Sequence, residues 1–222
     1  MTEPTADVKG SPFPIFPDSV AVMPLLYFPA ASYYAEVARH GRVVIDCGIA
    51  YDKRRKDTHR CDIADTRGPL SLTVPIIKPD YSSHPTWSEV GISTHGQWWD
   101  KHLTALESAY GRTPYFEFYI DRFKPFFSSD TAERYGNITA LDTAVNDEIC
   151  RILRLPIPQY SREVTEKDVN DYRNDKFIRE YQPEYYQVRQ STLGFIPNLS
   201  ILDLIFNLGP EAPLYLKRMI QQ

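Results

Sequence analysis

GFIPNLSILDLIFNLGPEAPLY, residues 194–215, is the stretch on which the fold turns. Gly194 and Pro197 break the chain. Ser200, followed three residues later by Asp203, is an S-x-x-D capping pattern that opens an apolar run. Gly209-Pro210 closes the run, because Gly tolerates a left-handed cap and Pro cannot continue a helix. Leu199, Leu202, Leu204, Ile205, Phe206 and Leu208 cover most of the surface of this helix, so it belongs inside a core. Asp203 and Asn207 lie four apart within it and share a face. Buried there without partners, each polar group costs roughly 1–3 kcal/mol.

Working back from this helix, the second half of the chain reads as mainly helical. From Trp98 to Tyr110, the residues Trp98, Trp99, His102, Leu103, Leu106, Ala109 and Tyr110 fall on one arc at 100° per residue. Gly111 stops that helix, and Thr113-Pro114 starts the next, which carries Tyr115, Phe116, Tyr119, Ile120, Phe123 and Phe127 on its apolar side. A third helix is expected over Ala132 to Leu153, with Ile138, Leu141, Val145, Ile149 and Ile152 repeating along one face. Residues 161–180 are highly charged and read as an exposed loop or short helix.

The first half reads as strands. Met23 to Phe28, a helix from Ala30 to Arg39 and Arg42 to Cys47 give a strand–helix–strand start, with Gly41 ending the helix. Thr58 to Ile63 and Leu70 to Ile77 suggest a hairpin. The expected fold class is α+β: a small mixed β-sheet from the N-terminal half packed on a mainly helical C-terminal half. Residues 1–21 are Pro-rich and read as a flexible arm; residues 22–222 read as a single domain.

Composition limits the function. The net charge of −4 gives no global attraction to nucleic acid or to an anionic membrane, so any anion site is local. Cys47, Cys61 and Cys150 are odd in number and lack CxxC spacing, which fits a reducing cytoplasm better than a disulfide scaffold. No signal-peptide pattern opens the chain, and no apolar run reaches the roughly 18 residues of a bilayer span, so a cytoplasmic protein without membrane insertion is expected. No GxGxxG, Walker-A, HExxH, GxSxG or EF-hand pattern is present, and no cofactor or metal is expected.

Several residues stand out chemically. His102 sits in the middle of an apolar arc, either as a core-edge imidazole or as a general base. Lys53, Arg54, Arg55, Lys56, His59 and Arg60 form the one local basic cluster, either a solvated edge or a phosphate site. Cys61, with His59 or His102 beside it, would form a thiol nucleophile; otherwise it is a small buried hydrophobe. Glu36, with Tyr33 and Tyr34 nearby, is either an exposed carboxylate or part of a cradle for a sugar or amine. Tyr110 is placed to help orient a substrate.

Five segments together resemble the WbqC-like proteins of bacterial polysaccharide gene clusters. They are the C-terminal run above, LLYFPAASYYAEVA (Leu25–Ala38), THRCDI (Thr58–Ile63), GPLSLTVPI (Gly68–Ile76) and WWDKHLTALESAYGRTPYFEFY (Trp98–Tyr119), in matching order from about residue 22 to the end. The resemblance implies a role in surface-polysaccharide (O-antigen) assembly, with transfer of glycine or another acyl group to an amino sugar. Its partners would be a sugar or sugar nucleotide and an activated acyl donor. The family carries an Arg at the position of Arg60, which favours that residue as the phosphate ligand over the Lys-Arg run. In such a transfer His102 would be the base, Asn207 the donor to the developing oxyanion and Arg60 the cation for a diphosphate, with Asp203 as a further catalytic residue. Arg60, Asn207, Glu36, Tyr33 and Tyr110 would bind substrate. A non-catalytic sugar-nucleotide or partner-binding module is the alternative.

Overall fold

A computed structural model describes residues 13, 16–80 and 83–221; residues 1–12 and 14–15 of the expected arm lie outside the described residues. The arm's residues from Phe16 to Ala21 belong to the first strand, β1, which spans Phe16–Pro24. α1 (Ala31–Arg39) follows and passes directly into β2 (His40–Asp46). β1 and β2 pair in parallel, and the helix between them is the crossover such a pair requires. Gly41 lies inside β2 rather than ending the helix: a Cβ there would sit 1.7 Å from the Pro17 carbonyl oxygen, so only glycine lets β1 approach.

β3 (Arg60–Asp65) and β4 (Gly68–Thr73) form an antiparallel hairpin, and β5 (Ile76–Ile77) pairs antiparallel with β6 (Gly91–Ile92). α2 runs from Trp98 to Tyr110, and Trp98, Trp99, His102, Leu106, Ala109 and Tyr110 are its buried residues. α3 (Phe116–Phe123) buries Phe116, Ile120 and Phe123. The long third helix expected from Ala132 is two: α4 (Thr131–Tyr135) and α5 (Ile138–Leu153), broken at Gly136, whose φ of 71° no α-helix accommodates. Asn137 then caps α5, its side chain accepting the Ala140 N–H at 2.9 Å.

The charged segment after α5 supplies the outer strands. β7 (Gln159–Ser161) pairs with β2 and β8 (Asn170–Asp171) with β1, both in parallel, giving a four-stranded sheet of order β7-β2-β1-β8. The main sheet is thus parallel throughout and takes its edges from the second half of the chain. Its antiparallel neighbours are separate pairs. Ala21, Val22 and Met23 of β1 are wholly buried, as expected of a strand covered on both faces. α6 (Gln190–Leu193), α7 (Ile201–Leu208) and α8 (Ala212–Ile220) complete the chain. α1 packs on α7 and α8, while the β3–β4 hairpin leans on α2 and α7. The fold is α+β. No helix among the described residues is long and apolar enough to cross a membrane.

α7 starts at its expected cap, with a change of role inside it. Ser200 accepts the Leu202 N–H at 3.3 Å, whereas the Asp203 side chain turns away from the helix start. Gly209 ends α7 with φ 50°, and a Cβ there would lie 2.5 Å from the Tyr115 ring.

Candidate functional site

Because the four main strands are parallel, their carboxyl ends lie along one edge, at Pro24, Asp46, Ser161 and Asp171. Open parallel sheets bind ligands along this edge, where chain exits diverge and backbone groups are free of the ladder. Here the edge is built from the residues that end each strand. The Asp46 carboxylate accepts the Gly48 N–H at 2.8 Å and one Arg173 N–H at 3.2 Å. Arg173 also pairs with Asp171 at 2.7 Å, so one guanidinium ties the exits of β2 and β8 together. The Cys47 N–H donates to the Ser161 carbonyl at 2.7 Å and ties β2 to β7. Gly48 must be glycine, since a Cβ would meet the Arg162 carbonyl oxygen at 2.2 Å. Arg55 reaches in from the basic loop. Its Nε donates to Asp57 at 3.2 Å and its other N–H groups to the carbonyls of Arg173 and Asp175.

Three cavities follow one another along this edge. The first is a groove of about 530 Å³ lined by Asp52, Arg54, Arg55, Lys56, Asp57, Asn174, Lys176 and Ile178. Lys56 and Lys176 are exposed and form no salt bridge among the described residues. The second is a small inner chamber that shares Arg55 with the groove; its wall is partly apolar, from Pro24, Leu25, Ile49 and Ile138, and partly polar, with Asp46, Thr58, Trp87 and Asp142 among the rest. The third is a cleft of about 260 Å³ that shares Cys47 and Thr139 with the chamber and adds Tyr160, Ser161 and Arg162. Thr139 and Ala140 belong to the first turn of α5, whose dipole is positive at that end. Groove and cleft therefore offer positive charge to an anion, with hydroxyl groups between. Burial and the neighbouring Asp46 charge push the Cys47 thiol up to about 11, so it is not a thiolate near neutrality.

The residues singled out from the sequence fall into separate groups. His102 and Arg60 meet at one residue: His102 Nε2 bonds the Thr73 carbonyl at 3.2 Å, and Arg60 Nε donates to the Thr73 hydroxyl at 2.8 Å. His102 Nδ1 bonds the Tyr27 hydroxyl at 3.2 Å, the ring is 3% exposed, and burial holds its pKa down at about 4. Both ring nitrogens are thus engaged in a dry setting.

Asp203, Asn207 and Tyr110 form a second group. Asp203 accepts Tyr185 O–H at 2.5 Å and Gln187 N–H at 3.0 Å, with a further hydrogen bond from Tyr110. Burial raises its carboxyl, those donors pull it back, and the balance leaves it at about 6. The Tyr110 hydroxyl also accepts the Ala64 N–H at 3.1 Å. Asn207 donates to the Asp203 carbonyl at 2.8 Å and accepts the Val188 N–H at 3.0 Å, which gives it the role that capping left unfilled. Asp203 and Asn207 thereby fasten the segment holding Tyr185, Gln187 and Val188 onto α7.

Glu36 belongs to a third group and is buried rather than exposed. It pairs with Arg39 at 3.3 Å and Arg179 at 3.5 Å and accepts the Tyr172 hydroxyl at 3.0 Å. Burial pushes its carboxyl up, but the hydrogen bonds of His40 and Tyr172 and the Arg39 charge outweigh it and hold it at about 2. Glu36, Arg39 and Arg179 border a cavity of about 320 Å³. Tyr33 donates to the Pro24 carbonyl at 2.9 Å, beneath the exit of β1. Cys61 is buried and burial pushes its thiol far up, which removes the exposed thiol that a nucleophile requires. No group of three or more metal-ligating His, Cys, Asp or Glu residues occurs among the described residues.

The sequence pattern did not single out Asp46, Asp142, Arg162 or Arg173. Asp142 carried the same signal that marked His102. It stands on the apolar stripe of its helix, four residues after Ile138 and three before Val145. Asp46 ends the second strand of a strand–helix–strand unit, a position where α/β sheets place ligand groups.

The chain belongs to the WbqC-like protein family, whose sequence profile matches residues 26–179 and 170–215. It is also similar to the uncharacterized protein Rv1507c of Mycobacterium tuberculosis (strain ATCC 25618 / H37Rv). The two are 27% identical over 232 residues, spanning 89% of this chain and 97% of that protein. No solved structure matches the chain.

Proposed function

We propose that this WbqC-like protein is a transferase of bacterial surface-polysaccharide (O-antigen) assembly, which binds a sugar nucleotide along the carboxyl edge of its parallel sheet. The acyl group transferred, glycine or another, would pass from an activated donor to an amine on the sugar. The observation that carries this proposal is the run of cavities along that edge, bordered by Lys56 and Lys176 at one end and Arg162 at the other. A diphosphate carries the charge those cations lack, and charge-assisted contacts of this kind are the strong ones. The hydroxyl groups of Thr139, Tyr160 and Ser161, which line the cleft, suit the polar head group of a sugar.

A second possibility, a non-catalytic sugar-nucleotide-binding module, draws on His102. A histidine whose two ring nitrogens already bond Tyr27 and Thr73, in a buried position, is poorly placed to take a proton from a substrate.

Calorimetric titration with nucleoside diphosphate sugars tests the shared part. Lys56→Glu combined with Lys176→Glu is expected to weaken binding about 10²- to 10⁴-fold, since each of the two charged hydrogen bonds contributes roughly 1.5–3 kcal/mol. His102→Gln is expected to leave affinity unchanged. Unaltered affinity in the double variant, with a loss in His102→Gln, would move the site to the Arg60–Thr73 region.

A further inference from the structure

The inner chamber holds two unsatisfied groups. Trp87 Nε1 and Asp142 Oδ1 are buried side-chain atoms with no hydrogen-bond partner, in residues only 6% and 2% exposed. Both residues line the same chamber, which lies between the groove and the cleft. Unsatisfied buried polar atoms are uncommon and each has a cost, so two of them on one small cavity call for a common explanation. The chamber has about 10 Å³ open to the centre of a water-sized sphere, which is room for a single oxygen atom.

An indole nitrogen can only donate. An unpaired carboxyl in a fully buried setting stays neutral, because its ionised form would lose its solvation without return. Burial, and then the nearby Asp57 charge, push the Asp142 carboxyl well above the usual carboxylate range. A neutral carboxyl also donates. Two unpartnered donors on residues that line one oxygen-sized space can hold a carbonyl oxygen and favour negative charge developing on it.

We propose that Trp87 Nε1–H and the Asp142 carboxyl group form a two-donor hole for one carbonyl oxygen, that of the acyl group transferred. The site rests on the transfer reaction proposed above. It names where the acyl carbonyl is held: at the inner end of the cleft, past Cys47 and Thr139. Asp142 is a substrate-binding group in this arrangement and does not move a proton.

Acetamide is a suitable probe, because it presents a carbonyl and carries neither phosphate nor sugar. The chain has three Trp residues, so the ¹H–¹⁵N spectrum contains three indole signals, and Trp87→Phe identifies one of them. Trp98 Nε1 donates to the Ser93 carbonyl at 2.9 Å and provides an internal reference. The Trp87 indole signal is expected to move saturably as acetamide is added, while that of Trp98 stays in place. Asp142→Asn keeps an N–H donor and is expected to retain the shift; Asp142→Leu is expected to lose it. A Trp87 signal unmoved by acetamide overturns the proposal. So does a folded Asp142→Asn variant that has lost the shift, since that would mean an ionised carboxyl. The wild-type and Asp142→Asn titrations decide the matter even where Asp142→Leu does not fold. Because acetamide has no charge, its result is independent of whether nucleoside diphosphate sugars bind the groove.

Discussion

Asp203 and Asp142 are both buried carboxyl groups on core helices, and the protein surrounds them in opposite ways. Asp203, on α7, meets Tyr185, Gln187 and Tyr110 and has no vacancy. Asp142, on α5, leaves Oδ1 without a partner on the wall of a chamber. A saturated polar network contributes to folding, since every member is satisfied and removal of one strands the others. An unsatisfied buried polar group costs stability, and the proposed carbonyl ligand would supply the missing partner. The difference separates α7, where the buried carboxyl holds segments together, from the chamber beside the carboxyl edge of the sheet, where a buried carboxyl oxygen has no partner.

The largest effect expected from this contrast is on stability. Asp203→Ala removes the acceptor of the Tyr185 hydroxyl, of one Gln187 N–H and of the Tyr110 hydroxyl, at roughly 1–3 kcal/mol for each donor left unpaired. It is expected to lower the unfolding free energy in urea by about 3 kcal/mol or more. Asp142→Asn strands nothing that is now bonded and is expected to change stability by less than about 1 kcal/mol. Equal losses in the two variants would erase the distinction.

A pH titration of stability sharpens it. His102 is held neutral with a pKa near 4, against 6.5 for an ordinary histidine. The unfolded chain binds that proton first, so stability falls as pH drops from about 6.5 to 4, by about 3 kcal/mol. Asp203 works in the opposite sense. Its folded pKa near 6 exceeds the ordinary 3.8, so its contribution is complete below about 3.8 and is lost as pH rises to about 6, again by about 3 kcal/mol. The two slopes oppose each other between pH 4 and 6. His102→Gln is therefore expected to expose the Asp203 slope, making the protein more stable at pH 4 than at pH 6 relative to wild type. A variant whose profile parallels wild type would show that His102 is not held neutral in the fold.

The smallest effect concerns the thiols. Cys47 borders the cleft with its pKa near 11, and Cys61 and Cys150 are buried. Iodoacetamide at pH 8 is expected to modify Cys47 at least about tenfold more slowly than an ordinary thiol, because the thiolate fraction falls with each pKa unit. Cys61 and Cys150 are expected to react only on unfolding. Bound nucleoside diphosphate sugar should slow Cys47 further. Rapid labelling of Cys61 in the native protein would revive the thiol-nucleophile alternative.

Helices were legible wherever periodicity and punctuation agreed. α2 spans Trp98–Tyr110 as its apolar arc and Gly111 indicate, and α7 fits between Ser200 and Gly209. The strands were less legible. β7 and β8 are three and two residues long in a polar segment, and they form only because β2 and β1 offer free edges. No local pattern records that pairing. The same gap hid the candidate site. Asp46 and Arg55 meet Arg173, which lies more than a hundred residues further along the chain, and the Arg55 contacts are to carbonyls that have no side-chain signature. A polar residue on an apolar face proved to be a sound sign of burial for His102, Asp203 and Asn207. It did not show whether the buried group would find partners. Asp142 meets the same criterion and differs from them only in what surrounds it.

The central claim, that the carboxyl edge of the parallel sheet is the ligand site, is tested most directly by a crystal soaked with a nucleoside diphosphate amino sugar. The expected result is a diphosphate within reach of Lys56 and Lys176 or of Arg162, with the sugar directed toward the chamber walled by Trp87 and Asp142. A ligand bound instead at Arg60 and Thr73, beside His102, or against the Glu36–Arg179 cluster, would contradict it.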